Sequence, residues 1–152
     1  MQLPKVNGRN LARQKLQFPD DFAGDVNLVF IAFQQWQQME VDSWVSLAEE
    51  LCQTYPRLAY YEFPTIRRLN RLSQMFINEG MRAGIPNPAT RQRTITLYLN
   101  KKAFRRALDI DSEEHIWLYL FDQAGRVLWR LQGAYTAENR EALETAVAAA
   151  FS

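Results

Sequence analysis

One cysteine and one histidine, Cys52 and His115, are all the thiol and imidazole chemistry this 152-residue chain offers. A lone thiol cannot close an intramolecular disulfide or build a cysteine-rich zinc or iron–sulfur centre, and it suits a reducing compartment. A lone imidazole excludes a His–His metal pair. An excess of charge of one sign is also missing. Lys and Arg number 18 against 17 Asp and Glu, net +1, so no global field favours nucleic acid or an anionic membrane, and such binding would need a local patch. No apolar run reaches membrane-spanning length, and the opening MQLPKVNGRNLARQK lacks the apolar core of an export signal. Together these absences predict a cytoplasmic protein without metal or cofactor, without a transmembrane segment and without a nucleic-acid partner.

What is present is the material of a full core. With 47% hydrophobic and 12% aromatic residues, the chain is expected to form a single domain over 1–152. Val26 to Phe33 (VNLVFIAF) is continuously apolar, as in a central strand covered on both faces. Trp44, Leu47, Ala48, Leu51, Cys52 and Tyr55 then recur at helical steps, with Asp42 and Ser43 as cap candidates and Pro56 as the stop. LAYYEF at Leu58 to Phe63 reads as a second strand. Pro64-Thr65 is expected to open a helix burying Ile66, Leu69, Leu72 and Phe76, which Gly84 and Pro86 end. RTITLYL, Arg93 to Leu99, alternates as a strand, and Asn100 caps a short helix with Phe104, Ala107 and Leu108 inward. IWLYLF, the DQAG turn at Asp122 to Gly125, and RVLWRLQG form a hairpin. Thr136 caps a last helix with Leu143, Ala146, Val147, Ala150 and Phe151 as its stripe. Strands separated by helices pair in parallel and the closing hairpin is antiparallel, so the sheet is mixed.

This order resembles the thioredoxin-like superfamily, in its peroxiredoxin and TlpA-like branch. The residues that carry the resemblance are VNGRNLARQKLQFPDDFAGDVNLVFIAF, from Val6, and LYLFDQAGRVLWRLQGAYTAENREAL at the other end. The resemblance implies an α/β three-layer fold with a mixed central sheet, an N-terminal hairpin around NGR, and a strand–helix insertion before the C-terminal hairpin and helix. It places the active-site turn at FQQWQQME, with Trp36 on the family tryptophan and Gln37 and Glu40 where the two cysteines of CxxC would stand. Neither can replace a thiolate in disulfide exchange. The family's cis-proline has no counterpart, Glu113, Glu114 and His115 occupying that neighbourhood. A second similarity, strongest over NKKAFRRALDID and the closing hairpin, is to mitochondrial ATP-synthase assembly factors related to thioredoxins, which also lack CxxC.

The remaining chemistry-bearing residues each have a bland reading beside the functional one. Cys52 lies in an apolar stripe, where cysteine is usually an inert small hydrophobe. His115 beside Asp111, Glu113 and Glu114 either starts a strand in a solvated acidic turn or joins a loose metal site. Arg67, Arg68 and Arg71, then Arg91 and Arg93, then Lys101, Lys102, Arg105 and Arg106 either bind an anion or form solvated faces balanced by neighbouring acids. The connection Gly80 to Arg93 is long enough to be functional, and Arg82, Asn87, Arg91 and Arg93 are candidates to face the turn, or the connection merely wraps the sheet edge. With Gln34, Gln35, Trp36, Gln37, Gln38 and Glu40 they compose a candidate protein-binding pole. Two functions are then open: a redox-inactive binding, chaperone or assembly module with an unknown protein partner, or an enzyme using Glu40 or Asp42 as acid or base with loop arginines on an anionic substrate. The edge at Leu128 and Trp129 offers a further route to a homo-oligomer.

Overall fold

The computed structural model describes residues 1–152. Seven strands form a single sheet in the order β2-β1-β5-β4-β3-β6-β7. The strands are β1 Val6–Asn10, β2 Lys15–Phe18, β3 Val26–Ala32, β4 Leu58–Arg67, β5 Ile95–Leu99, β6 Trp117–Asp122 and β7 Val127–Gln132. The helices are α1 Gln38–Thr54, α2 Arg71–Gly84, α3 Pro88–Arg93, α4 Lys101–Ala107 and α5 Ala137–Ala150. β3, β4 and β5 run parallel, and the other pairings are antiparallel, so the sheet is mixed as the pattern requires. Every residue of β3 is buried, because α1 and α5 cover one of its faces and α4 with the N-terminal segment covers the other. On the first face Phe30, Leu118 and Leu120 meet Trp44, Leu47, Leu143 and Val147. On the second, Val29, Ile31 and Tyr119 meet Phe18, Phe104 and Leu108.

Several boundaries differ from the reading of the sequence. NGR lies inside β1 rather than at the hairpin turn, which falls between Asn10 and Lys15 with Arg13 in the left-handed region at φ 66°. Gly8 is required in β1 because a Cβ there would stand 2.5 Å from Ile95 Cγ2 and 2.7 Å from the Thr96 carbonyl of the neighbouring β5. α1 starts at Gln38, one turn before Asp42 and Ser43, after a 3-10 turn over Gln35–Gln37. Ser43 therefore sits inside the helix and donates to the Glu40 carbonyl. Pro64-Thr65 does not open a helix. Pro64 pairs with Ala32 at the end of the β3 ladder, where its missing N–H is tolerated, and Thr65, Ile66 and Arg67 continue the strand against β5. Asn70 caps α2 instead, accepting from Ser73 N–H.

The largest departure concerns the face of α2. Leu72 and Phe76, expected inward, are 77% and 83% exposed, and no residue of the helix is fully buried. Its sheet side is held by polar and soft contacts: Tyr98 Oη donates to Asn78 Oδ1 at 2.8 Å, and Thr96 Oγ1 lies 3.8 Å from Met81 Sδ. The connection after α2 contains α3, capped by Asn87, so Arg93 belongs to a helix and the strand begins at Ile95. Ala107, expected inward, is exposed, since within α4 only Phe104 turns toward the sheet and burial resumes past the helix end at Leu108 and Ile110. The caps at Asn100 and Thr136 and the Asp122–Gly125 turn are as expected, with Gly125 at φ 88° and Asp122 Oδ1 accepting from Ala124 and Arg126 N–H.

Candidate functional site

β3, β4 and β5 point their C-terminal ends to one pole of the sheet, and β6 starts there. Four connections converge at that pole: Phe33–Gln37 after β3, Arg68–Asn70 after β4, Asn100 after β5, and the 108–116 segment before β6. The first and last are stitched together by Gln37 and Glu40. Gln37 is fully buried. Its Oε1 accepts from the Phe33 and Gln34 N–H groups at 2.8 and 3.2 Å, and its Nε2 donates to the Glu113 carbonyl at 2.5 Å. Glu40 is nearly buried too; Oε1 accepts the Ile116 N–H at 3.1 Å and Oε2 meets His115 Nδ1 at 2.8 Å. Both side chains thus tie the turn after β3 to the segment before β6.

Outside these two latches the turn is exposed. Trp36 is 52% and Met39 71% exposed, and Trp36 stands edge-on to the His115 ring at 6.2 Å. Gln34 and Gln35 are exposed beside them. Glu113 is the charge hub of the far side. Lys101 and Arg105 bind its carboxylate at 2.9 and 3.2 Å and Gln34 Nε2 lies at 3.3 Å. His115 is exposed just before β6 in the acidic turn, where its added partner is Glu40, and no three His, Cys, Asp or Glu side chains gather there as a metal site would need. The only cis peptide bond, Phe18–Pro19, follows β2 and has no place at this pole.

Gln38 reaches down into the molecule, its Nε2 donating to Asp42 Oδ1 at 2.9 Å and to Glu62 Oε1 at 3.1 Å. Glu62 lies on β4 opposite Phe30 and is buried. Burial raises its pKa above the ordinary carboxylate value, opposed by the Gln38 hydrogen bond and helped by Asp42, while Arg93 pulls it down. The native state thus holds this proton to higher pH than the unfolded chain does, so stability falls as pH rises from the unfolded pKa through the folded one. Glu62→Gln is expected to be more stable than the parent at neutral pH, with the advantage shrinking below the ordinary carboxylate range. Urea midpoints at the two pH values check it.

The four candidates on the Gly80–Arg93 connection do other work. Arg82 donates to the Leu11 carbonyl, Arg91 to the Ile85 and Arg82 carbonyls, and Asn87 caps α3. Arg93 lies 4.1 Å over the Tyr60 ring, donates to the Ala89 carbonyl and acts on Glu62 of β4 electrostatically, without reaching the turn. These contacts close the connection against β1 and β4, away from Gln34, Gln35 and Trp36. Cys52 is half-buried rather than sealed in the core. Burial pushes its thiol up to about 11. Iodoacetamide is accordingly expected to label the native protein roughly 100-fold more slowly than the urea-unfolded chain near neutral pH, where the thiolate is the reacting species.

The comparisons with known proteins agree with this architecture. The family model of the ATP10 protein matches residues 1–149. The chain belongs to the ATP10 protein family. No curated protein matches the sequence. Among solved structures, this ATP10-family chain is similar to a thiol:disulfide interchange protein DsbE from Chlorobium tepidum, at TM-score 0.62 and 14% identity over 99% of this chain and 96% of that one. It is also similar to the pneumococcal exposed lipoprotein thioredoxin Etrx1 from Streptococcus pneumoniae, at TM-score 0.61 and 9% identity over 95% and 98% of the two chains. BsSco, a member of the Sco family of cytochrome c oxidase assembly proteins, superposes at TM-score 0.62 and 11% identity over 97% and 94%. At these identities the structures establish the thioredoxin-like fold, and the family match makes the chain an assembly-related member of it. No helix is long and apolar enough to cross a membrane.

Sequence reasoning missed the Glu40–His115 pair, the Gln37 latch and buried Glu62. A fully buried glutamine carries no mark in sequence that separates it from its exposed neighbours Gln34 and Gln35. Glu62 had a faint signal, one carboxylate inside the otherwise apolar run LAYYEF.

Proposed function

We propose that this ATP10-family protein is a redox-inactive assembly module that engages a protein client, in the ATP-synthase setting its family implies, through the pole around Trp36, Met39 and His115. The observation that carries this reading is the use made of the CxxC positions. Gln37 and Glu40 spend their polar atoms on holding the turn to the Glu113–Ile116 segment, so the scaffold is kept rigid and no sulfur is offered. A rigid turn displaying an exposed tryptophan and methionine suits protein recognition, where large side chains gain most when they leave water together. The enzyme alternative is less well served. Both Glu40 oxygens are already bonded, Asp42 holds Gln38, and the arginines assigned to an anionic substrate hold backbone carbonyls. The lone free thiol suits a reducing compartment.

The test has two arms. Purified protein is expected to reduce insulin no faster than a no-protein control. In cells depleted of the native protein, Trp36→Ala is expected to lower the yield of assembled ATP synthase on native gels, and a photo-crosslinker at position 36 should capture an ATP-synthase subunit. Insulin reduction above the control, or full assembly with Trp36→Ala and no crosslink, overturns the reading.

A further inference from the structure

A local cationic and apolar patch does exist, on α2. Leu72, Met75 and Phe76 are 77%, 59% and 83% exposed. Their spacing of three and four residues puts them on one ridge of the helix. No part of this protein covers that ridge, for the opposite side of α2 makes the contacts to Tyr98 and Thr96. Arg67 at the end of β4, Arg68 in the connection that follows and Arg71 at the start of α2 are exposed, and none of them forms an ion pair, although arginines elsewhere in the molecule do. The segment from Arg67 to Ile85 holds four arginines and one glutamate, leaving fourteen basic against sixteen acidic residues in the rest of the chain. The one glutamate, Glu79, continues the ridge a turn further on and is bound by Arg13 at 2.5 Å. Its charge is thereby compensated where the ridge passes.

We infer that α2 docks this protein on an anionic phospholipid surface, Leu72, Met75 and Phe76 entering the headgroup and acyl boundary while Arg67, Arg68 and Arg71 meet the lipid phosphates. The chemistry follows from the shape and charge of the patch. Leu72 and Phe76 stand free on the helix surface, Met75 edges the cleft between α2 and the β1–β2 hairpin, and the patch is cationic at its N-terminal border in an otherwise near-neutral chain, the combination that suits an anionic bilayer interface. The helix lies in the plane of the surface and does not span it, in keeping with its 14 residues. The C-terminal pole of the sheet, from which Arg67 and Arg68 emerge, is then held near the lipid. This inference is independent of the client reading, because it is measured on the isolated protein.

Flotation with vesicles decides it. The full chain is expected to float with vesicles of equal parts phosphatidylcholine and phosphatidylglycerol and to be released by high salt. It should not float with phosphatidylcholine alone. Neutralising Arg67, Arg68 and Arg71 together to glutamine is expected to weaken partitioning about 100-fold, at about fivefold per arginine near an anionic surface. Leu72→Ser with Phe76→Ser is expected to weaken it about tenfold or more by removing the inserted side chains. Lys102→Gln with Arg106→Gln on α4 should bind as the parent does. All these positions are exposed, and unchanged circular dichroism and thermal midpoints confirm that the variants fold. Absence of flotation, equal flotation with neutral vesicles, or parental binding by the Leu72→Ser/Phe76→Ser pair overturns the inference; the first outcome would assign the ridge to a protein partner.

Discussion

Gln37→Leu is expected to lower the unfolding free energy by about 3 kcal/mol, although leucine fills much the same space. The loss is polar. Leucine leaves the buried Phe33 N–H and the Glu113 carbonyl without their partner, and Gln34 N–H must turn to water. Each buried orphan costs about 1–3 kcal/mol, and the added apolar contact returns only part of that. Gln37→Glu separates the two ends of the latch, because it keeps the acceptor for Phe33 and Gln34 but replaces the donor to Glu113 by an anion facing a carbonyl. Both variants should loosen the turn that carries Trp36. Urea unfolding measures the first effect, and crosslinking from position 36 reads the second. A Gln37→Leu protein with parental stability would mean that the turn does not depend on this latch.

Trp44→Ala is expected to cost about 4 kcal/mol, in the range for truncating a large buried aromatic. Trp44 is wholly buried between β3 and the segment leading into α5. It lies near the rings of Phe30 at 6.5 Å and Tyr135 at 5.4 Å, and its Nε1–H donates to the Gly133 carbonyl at 3.1 Å. Alanine removes the ring from the first core and orphans that carbonyl. Trp44→Phe, which keeps most of the ring volume and loses only the donor, should cost about 1–2 kcal/mol. At about 2–4 °C per kcal/mol for a domain of this length, the alanine variant should melt roughly 10 °C lower. Near-equal midpoints for the two variants would show that the ring contributes little beyond its hydrogen bond.

The elements that read correctly were those whose signal is local. Continuous burial of Val26 to Ala32 shows directly as an apolar run, and Asn100 and Thr136 cap helices by bonding residues three positions on. Pro64-Thr65 misled because the pairing of Thr65, Ile66 and Arg67 is with residues on β5, about thirty positions later, and that gain outweighs a helix-opening proline. On α2 the periodicity was legible while its direction was not. An alternation of apolar and polar faces says that the two sides differ; which side is covered depends on what lies beneath, and beneath α2 lie the polar side chains of Thr96 and Tyr98.

The site divides in the same way. From the sequence alone it follows that no thiol stands in the turn after β3, because that depends only on residue identity, while the resemblance to thioredoxin-like proteins implied the fold and aligned Trp36 with the family tryptophan. Tertiary structure alone brings Glu40 to His115 across 75 positions, ties Gln37 to the Glu113 carbonyl, sends Arg82 and Arg91 away from the turn, and leaves Leu72 and Phe76 in water. Hydrogen-bond partners and burial are properties of neighbours in space, and a chain that crosses one sheet seven times chooses those neighbours only when it folds.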